Sequence, residues 1–380
     1  MTCYDYIIIG AGASGLLLAD ALGSDPYFKD KSILLLDKDD KTTNDRTWCF
    51  WEKGDGSFDS ILFKEWHKIH FAGEQLNIQL DIAPYTYKMI KGITFYQHYL
   101  NQLKTYSNIE FRLDEIEELN EIAHGVWIQG KKDRYFGLQA FDSRFDYQKI
   151  KAASKYPVLQ QHFLGWFVKS DQPVFNSKVP SFMDFSIPQN RNTRFMYVLP
   201  FSDREALVEY TLFSENTLER AAYESAIKDY LTHLRVTDYQ ITEVEQGNIP
   251  MTCYDFTQEN TNRILKIGMA GGWTKASTGY TFYNSFKKVT QLAEHLKTER
   301  PLKKFDKKNR FWYYDLLLLD ILHKKNYLGR KLFESLFKKQ KPQTIFKFLD
   351  EETHFLEELK IIASPPSLPF IKALWRSTFS

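Results

Sequence analysis

Tyr6-Ile7-Ile8-Ile9 is an unbroken apolar run that stops at Gly10, and Leu16-Leu17-Leu18-Ala19 and Ala21-Leu22 follow a turn of small residues. A short apolar run closed by glycine predicts a strand buried on both faces, and the longer stretch after it predicts a helix. A second run, Ile33-Leu34-Leu35-Leu36, ends in Asp37, so residues 4–37 read as a strand–helix–strand unit. The pattern then changes. Trp66-His67-Lys68-Ile69-His70-Phe71 and Leu76-Asn77-Ile78-Gln79-Leu80 alternate around Gly73, which predicts antiparallel strands with the histidines towards solvent. A helix is expected over 94–106, with Phe95, Tyr99, Leu100 and Leu103 on one face. Residues 161–168, 194–200 and 206–213 read as further strands, 217–234 as a helix, and the C-terminal third as helical throughout. A parallel unit interrupted by antiparallel strands predicts an α/β chain with a second domain inserted into the first.

The turn between the first strand and helix is Gly10-Ala11-Gly12-Ala13-Ser14-Gly15. In this Gly-x-Gly-x-x-Gly spacing, Gly10 allows the tight turn, Gly12 admits a pyrophosphate to the backbone, and Gly15 lets the helix pack on the strand. The amides at Ala13 and Ser14 open the helix and supply donors and a positive dipole. Asp37 stands 22 residues beyond Gly15, near the spacing of an acid that binds a ribose hydroxyl. A second turn, Gly268-Met269-Ala270-Gly271-Gly272 leading to Gly279, follows a predicted strand and suits backbone approach to a flavin from the other side. Together they predict FAD rather than NAD as the tightly held nucleotide, with Gly10, Gly12, Ala13, Ser14, Gly15, Asp37, Gly268, Ala270, Gly271, Gly272 and Gly279 as its contacts. The expected architecture is a Rossmann-like FAD-binding domain over 1–70 and 245–300, joined by helix 94–106. An inserted antiparallel-sheet substrate domain takes mainly 70–245, and a helical region takes 301–380.

Composition alters this picture in a few places. A chain of 380 residues with 43% hydrophobic content exceeds the size at which single cores stop growing, so two joined domains are expected. The net charge of +2 and the lack of a basic tail argue against nucleic-acid binding. Cys3, Cys49 and Cys253 are three widely spaced residues that suggest neither a disulfide framework nor a metal site. No apolar run reaches the ~18 residues that span a bilayer, and a first strand starting at residue 4 predicts no signal peptide. Residues 303–347 hold 13 Lys or Arg against 4 Asp or Glu, an excess of nine, interleaved with Phe305, Phe311, Trp312, Tyr313, Tyr314, Phe333 and Phe337. That mixture suits either an anionic membrane surface or a solvated helix face over a packed core. The aromatic content of 16% likewise fits a large apolar cavity or ordinary core usage. The expected location is cytoplasmic, peripheral on the inner face of the membrane.

Ala206-Leu207-Val208-Glu209-Tyr210-Thr211-Leu212-Phe213 places one acid inside a strand that is largely apolar on both faces. Glu209 is thus either buried, with a raised pKa that keeps it protonated near neutral pH, or an edge carboxylate in water.

Asp45-Arg46-Thr47-Trp48-Cys49-Phe50-Trp51 resembles the signature that follows the nucleotide fold in lycopene β-cyclases of carotenoid-producing bacteria. The resemblance runs from Tyr4 to about Ala373 and includes Leu159-Gln160-Gln161-His162-Phe163-Leu164-Gly165-Trp166 and the segment Gly268 to Phe282. It implies that Glu209 is the family's essential acid. Tyr210 stands where the family motif has a second acid, so that segment offers one carboxylate. The resemblance also implies that Arg46 joins the cofactor-binding residues, that lycopene or a related acyclic carotenoid is the substrate, and that reduced FAD is required, with NAD(P)H as electron source. The expected reaction is ring closure without net redox. A flavin monooxygenase or prenyl reductase, or a non-enzymatic prenyl-lipid chaperone of the same fold, is the alternative.

Overall fold

The computed structural model describes residues 3–379. Cys3–Ile9 lies inside a seven-stranded sheet, parallel to Ile33–Asp37 on one side and to Arg134–Asp142 on the other. Ile109–Leu113 continues the parallel order beyond Ile33–Asp37, and Ile264–Lys266 pairs with the end of Arg134–Asp142. Gly125–Gly130 and Ile116–Ile122 complete the sheet as an antiparallel extension. The unbroken apolar runs exist because both faces are covered. Ile8 and Leu35 meet the helices Ala13–Ser24, Gly92–Leu103 and Phe282–Leu296 through Leu16, Phe95 and Val289. Ile7, Ile9, Leu34 and Leu36 meet Val126, Ile128 and Tyr135 on the other face.

A second sheet of seven strands runs in the order Tyr239–Thr252, Val158–Ser170, Glu205–Ser214, Thr193–Pro200, Ser181–Asp184, Lys68–Ala72, Asn77–Asp81. The last two pair around residue 73 as an antiparallel hairpin. One face of this sheet packs Trp166, Val208 and Leu212 on the helix Arg220–His233. The other face packs Phe195, Leu207 and Phe213 towards Phe333 and Phe337 of the helix Gly329–Lys339. A three-stranded sheet of Thr47–Lys53, Tyr85–Lys91 and Lys64–Trp66 lies alongside and contributes Trp51 and Met89 to the same core.

The sheets do not divide at 70 and 245. Residues 109–142 lie within the stretch assigned mainly to the inserted domain, yet they pair into the first sheet. Their alternation looks like that of the inserted strands, and the pairing partner of Ile109–Leu113 lies more than 70 residues upstream. Tyr239–Thr252 also crosses the expected boundary and belongs wholly to the second sheet. In the basic stretch, Phe311, Phe333 and Phe337 turn into the core while Lys338, Lys339 and Lys341 stay exposed. Phe305, Trp312 and Tyr314 are half-buried and Tyr313 is exposed, so the aromatic residues of this stretch divide between core and surface.

Candidate active site

Gly10 adopts φ +101°, a conformation that a side chain disfavours. A Cβ on Gly15 would lie 1.9 Å from the Gly10 carbonyl oxygen, so the helix can sit this close to the strand only without one. Gly12, by contrast, faces open space. It begins the helix Ala13–Ser24 with no side-chain cap. The helix Phe282–Leu296 also starts without a side-chain cap, and Ser14 Oγ bonds Ser285 Oγ at 3.0 Å, tying the two N-terminal turns together. Two helices thus start side by side without side-chain caps, and a helix start of this kind is suited to an anion.

A cavity of about 640 Å³ opens from that place. Gly12, Ala13, Ser14, Arg46, Gly268 and Gly279 line it, and so does Glu209. Gly10, Gly15, Asp37, Ala270, Gly271 and Gly272 are set back from its wall and shape the turns behind it. Asp37 accepts hydrogen bonds from the backbone N–H groups of Ala11 and Asp39, and Lys41 lies 3.3 Å from it. Arg46 forks onto Asp45 at the cavity edge. Gln161 Oε1 and Thr278 Oγ1 are buried on the wall without a hydrogen-bond partner. Unpaired buried polar atoms call for a ligand or water. Together with the two uncapped helices, they fit a flavin nucleotide.

Glu209 belongs to the buried reading, at 7% exposure. Strand alternation puts Leu207, Glu209 and Phe213 on the cavity wall. Tyr210 faces the other way, where Arg194 donates to its hydroxyl at 2.6 Å. Burial, and then the negative charge of Glu245, push the Glu209 carboxyl up to about 8, while a hydrogen bond from Thr211 pulls the other way. Glu245 is equally buried and is itself raised, first by burial. Sequence reasoning missed it because Glu243-Val244-Glu245 reads as the polar face of an exposed strand, and Glu245 is the buried exception in that stretch. Cys49, Tyr87 and Tyr197 join the two acids on the wall, with the Tyr87 and Tyr197 hydroxyls bonded to each other. Burial raises all three, so they stay neutral. Beyond this polar patch the wall is largely apolar, with Phe182, Phe195, Phe333, Phe337 and, from the C-terminal helices, Ile361 and Phe370, and its charged exception, Asp315, is paired with Lys275 at 3.0 Å. The cavity therefore joins two helix starts without side-chain caps, a buried acid whose pKa is raised, and a largely apolar reach.

Solved structures share this architecture at low identity. A geranylgeranyl bacteriochlorophyll reductase-like protein from Thermoplasma acidophilum aligns with a TM-score of 0.60 at 12% identity over 99% of both chains. A halogenase PltM variant in complex with FAD aligns with a TM-score of 0.60 at 12% identity over 99% of this chain and 90% of that one. These likenesses establish a flavoprotein fold. Among curated proteins, a lycopene beta-cyclase of Pantoea ananas is 25% identical over 73% of this chain and 71% of its own. One from Paracoccus sp. is 29% identical over 126 residues, and the matched stretch spans 32% of each chain. The profile described as "Lycopene cyclase protein" matches residues 5–375. With nearly its whole length matched by that profile, the chain belongs to the lycopene cyclase family.

Proposed function

We propose that the protein converts the linear ends of lycopene to β-ionone rings by protonation, ring closure and deprotonation, giving β-carotene without net redox. The observation that carries this reading is the buried Glu209 carboxyl, held protonated near neutral pH on the wall of an otherwise apolar cavity. An acid of that kind can protonate an alkene, which offers no basic atom and demands a dry, well-placed donor. The Phe195 and Phe333 faces exclude water that would trap the cation. Gly12, Ala13, Ser14, Arg46, Gly268 and Gly279 would hold FAD, a reading supported by their place on the cavity wall, and the unpaired atoms of Gln161 and Thr278 would offer it polar partners. Bound in its reduced form, the flavin would supply negative charge that stabilises the cation. NAD(P)H would then serve as the electron source and not as a stoichiometric reductant.

An acyclic carotenoid resides in lipid, so we place the protein at the cytoplasmic face of the membrane as a peripheral enzyme. Among the described residues no helix is long and apolar enough to cross a bilayer. The test is expression of the chain and of Glu209→Gln in lycopene-accumulating bacteria, with pigments resolved by chromatography and mass. The expected result is β-carotene, of unchanged mass, from the parent, and lycopene alone from the variant. Products heavier by hydrogen or oxygen would replace the cyclase reading with a prenyl reductase or monooxygenase.

A further inference from the structure

Glu245 takes no part in the proton donation assigned to Glu209, yet its placement is specific. In the second sheet, Glu209 on Glu205–Ser214 and Glu245 on Tyr239–Thr252 both stand in register with Gly165 on the strand between them. Residues in register on neighbouring strands share a face. Two acids two strands apart would ordinarily be held apart by the side chain between them, but here that residue is glycine. A Cβ on Gly165 would lie 2.8 Å from Leu207 Cδ1, 3.4 Å from Glu245 Cγ and 3.5 Å from Glu209 Cβ, so both acids border the position that glycine leaves, with the end of Leu207 beside them. Both reach the same cavity. Each is anchored separately: Thr211 Oγ1 donates to Glu209 Oε1, and Thr47 Oγ1 donates to Glu245 Oε2 at 2.8 Å.

We propose that Glu209 and Glu245 act as one acid pair across Gly165, sharing a single proton, with Glu245 as the positioning residue that keeps that proton on Glu209. The proposal rests on the cyclase reading of Glu209. Two buried carboxyls on one face of the sheet resist ionising together near neutral pH, so one proton stays with the pair until a cation forms beside it. The charges around the pair do not relieve this. Glu243 and Asp45 add negative potential at Glu245, and the half-exposed Arg46 opposes them. Cys49, Tyr87 and Tyr197 are neutral, and Asp315 on the cavity wall is matched by Lys275 at 3.0 Å. In turnover, the O–H bond of Glu209 breaks as a C–H bond forms at the terminal alkene. The internal alkene's electron pair closes the ring. A ring C–H bond then breaks, its electrons form the ring double bond, and its proton returns to the pair. The pair starts and ends with one proton, so the isomerisation balances without an added acid or oxidant.

Glu245→Gln removes the charge and keeps an oxygen for Thr47 to donate to. Infrared titration of the protonated-carboxyl stretch in the full chain reads the pair without any turnover. The expected result is a downward move of the Glu209 step by at least about one pH unit, with the alkaline limb of kcat moving by the same amount and KM unchanged. Gly165→Ala, which puts a methyl group between the acids against the mobile end of Leu207, is expected to move the step the same way by less. An unmoved step in folded Glu245→Gln, or in Gly165→Ala should the first variant not fold, overturns the pair. A parent that shows the coupled titration but leaves lycopene unchanged overturns the cyclase reading and leaves the pair standing.

Discussion

Glu209, the acid proposed to donate the proton, also carries a cost to stability. A folded-state pKa raised to about 8 means that the native state holds a proton the unfolded chain has released above the usual carboxylate range. The contribution of Glu209 to stability is therefore full below the usual carboxylate range and is lost as pH rises from there towards about 8. Glu209→Gln is expected to melt at a higher temperature than the parent at pH 8 and to differ less at pH 5, measured by circular dichroism. Gly15 makes the opposite point. A methyl group there would fall 1.9 Å from the Gly10 carbonyl oxygen, so Gly15→Ala must push backbone apart and is expected to cost about 2 kcal/mol in chemical denaturation. The role of Gly10 to Gly15 could be read from the sequence because a turn's geometry is set by its own residues. The position of Glu245 could not, because what matters there is a glycine 80 residues away that pairs with it only through the sheet.

At the scale of elements, apolar periodicity predicted strands and helices well where each was long. The helix expected over 94–106 spans Gly92–Leu103, and the one over 217–234 spans Arg220–His233. It was silent on which sheet a strand joins, as 109–142 shows, since pairing depends on partners distant in the chain. The attachment of the C-terminal helices was equally hidden. Lys275, in the loop after the second glycine turn, is buried and bonds Asp315 on the helix Arg310–Lys325 and Glu351 beyond it, each at 3.0 Å. Lys275→Ala leaves Asp315 buried without its cation, and we expect a loss of about 3–5 kcal/mol, seen as a lower denaturation midpoint and earlier proteolysis between residues 310 and 351.

Across the whole molecule, the last two helices have a double aspect. Ile361 and Phe370 line the cavity, while Phe355, Leu356, Leu368 and Ile371 on the same helices are 59–69% exposed. Lys360 and Lys372 stand among them. On the proposed reading of a peripheral enzyme that takes its substrate from lipid, this is the face expected to dip into the bilayer. Leu368→Glu combined with Ile371→Glu should weaken co-sedimentation with anionic phospholipid vesicles about tenfold while leaving the melting temperature unchanged.

The same cavity reaches from Gly12 to Phe370, and this has a consequence during synthesis. At roughly 5–20 residues per second, the first wall of the cavity leaves the ribosome tens of seconds before the last. From their own emergence until Phe333 and Phe337 follow about 150 residues later, the faces of Phe182 and Phe195 lack those partners. The nascent chain must be kept from sticking to others over that time, and the pocket closes only once the helices that carry Phe333, Ile361 and Phe370 have been made.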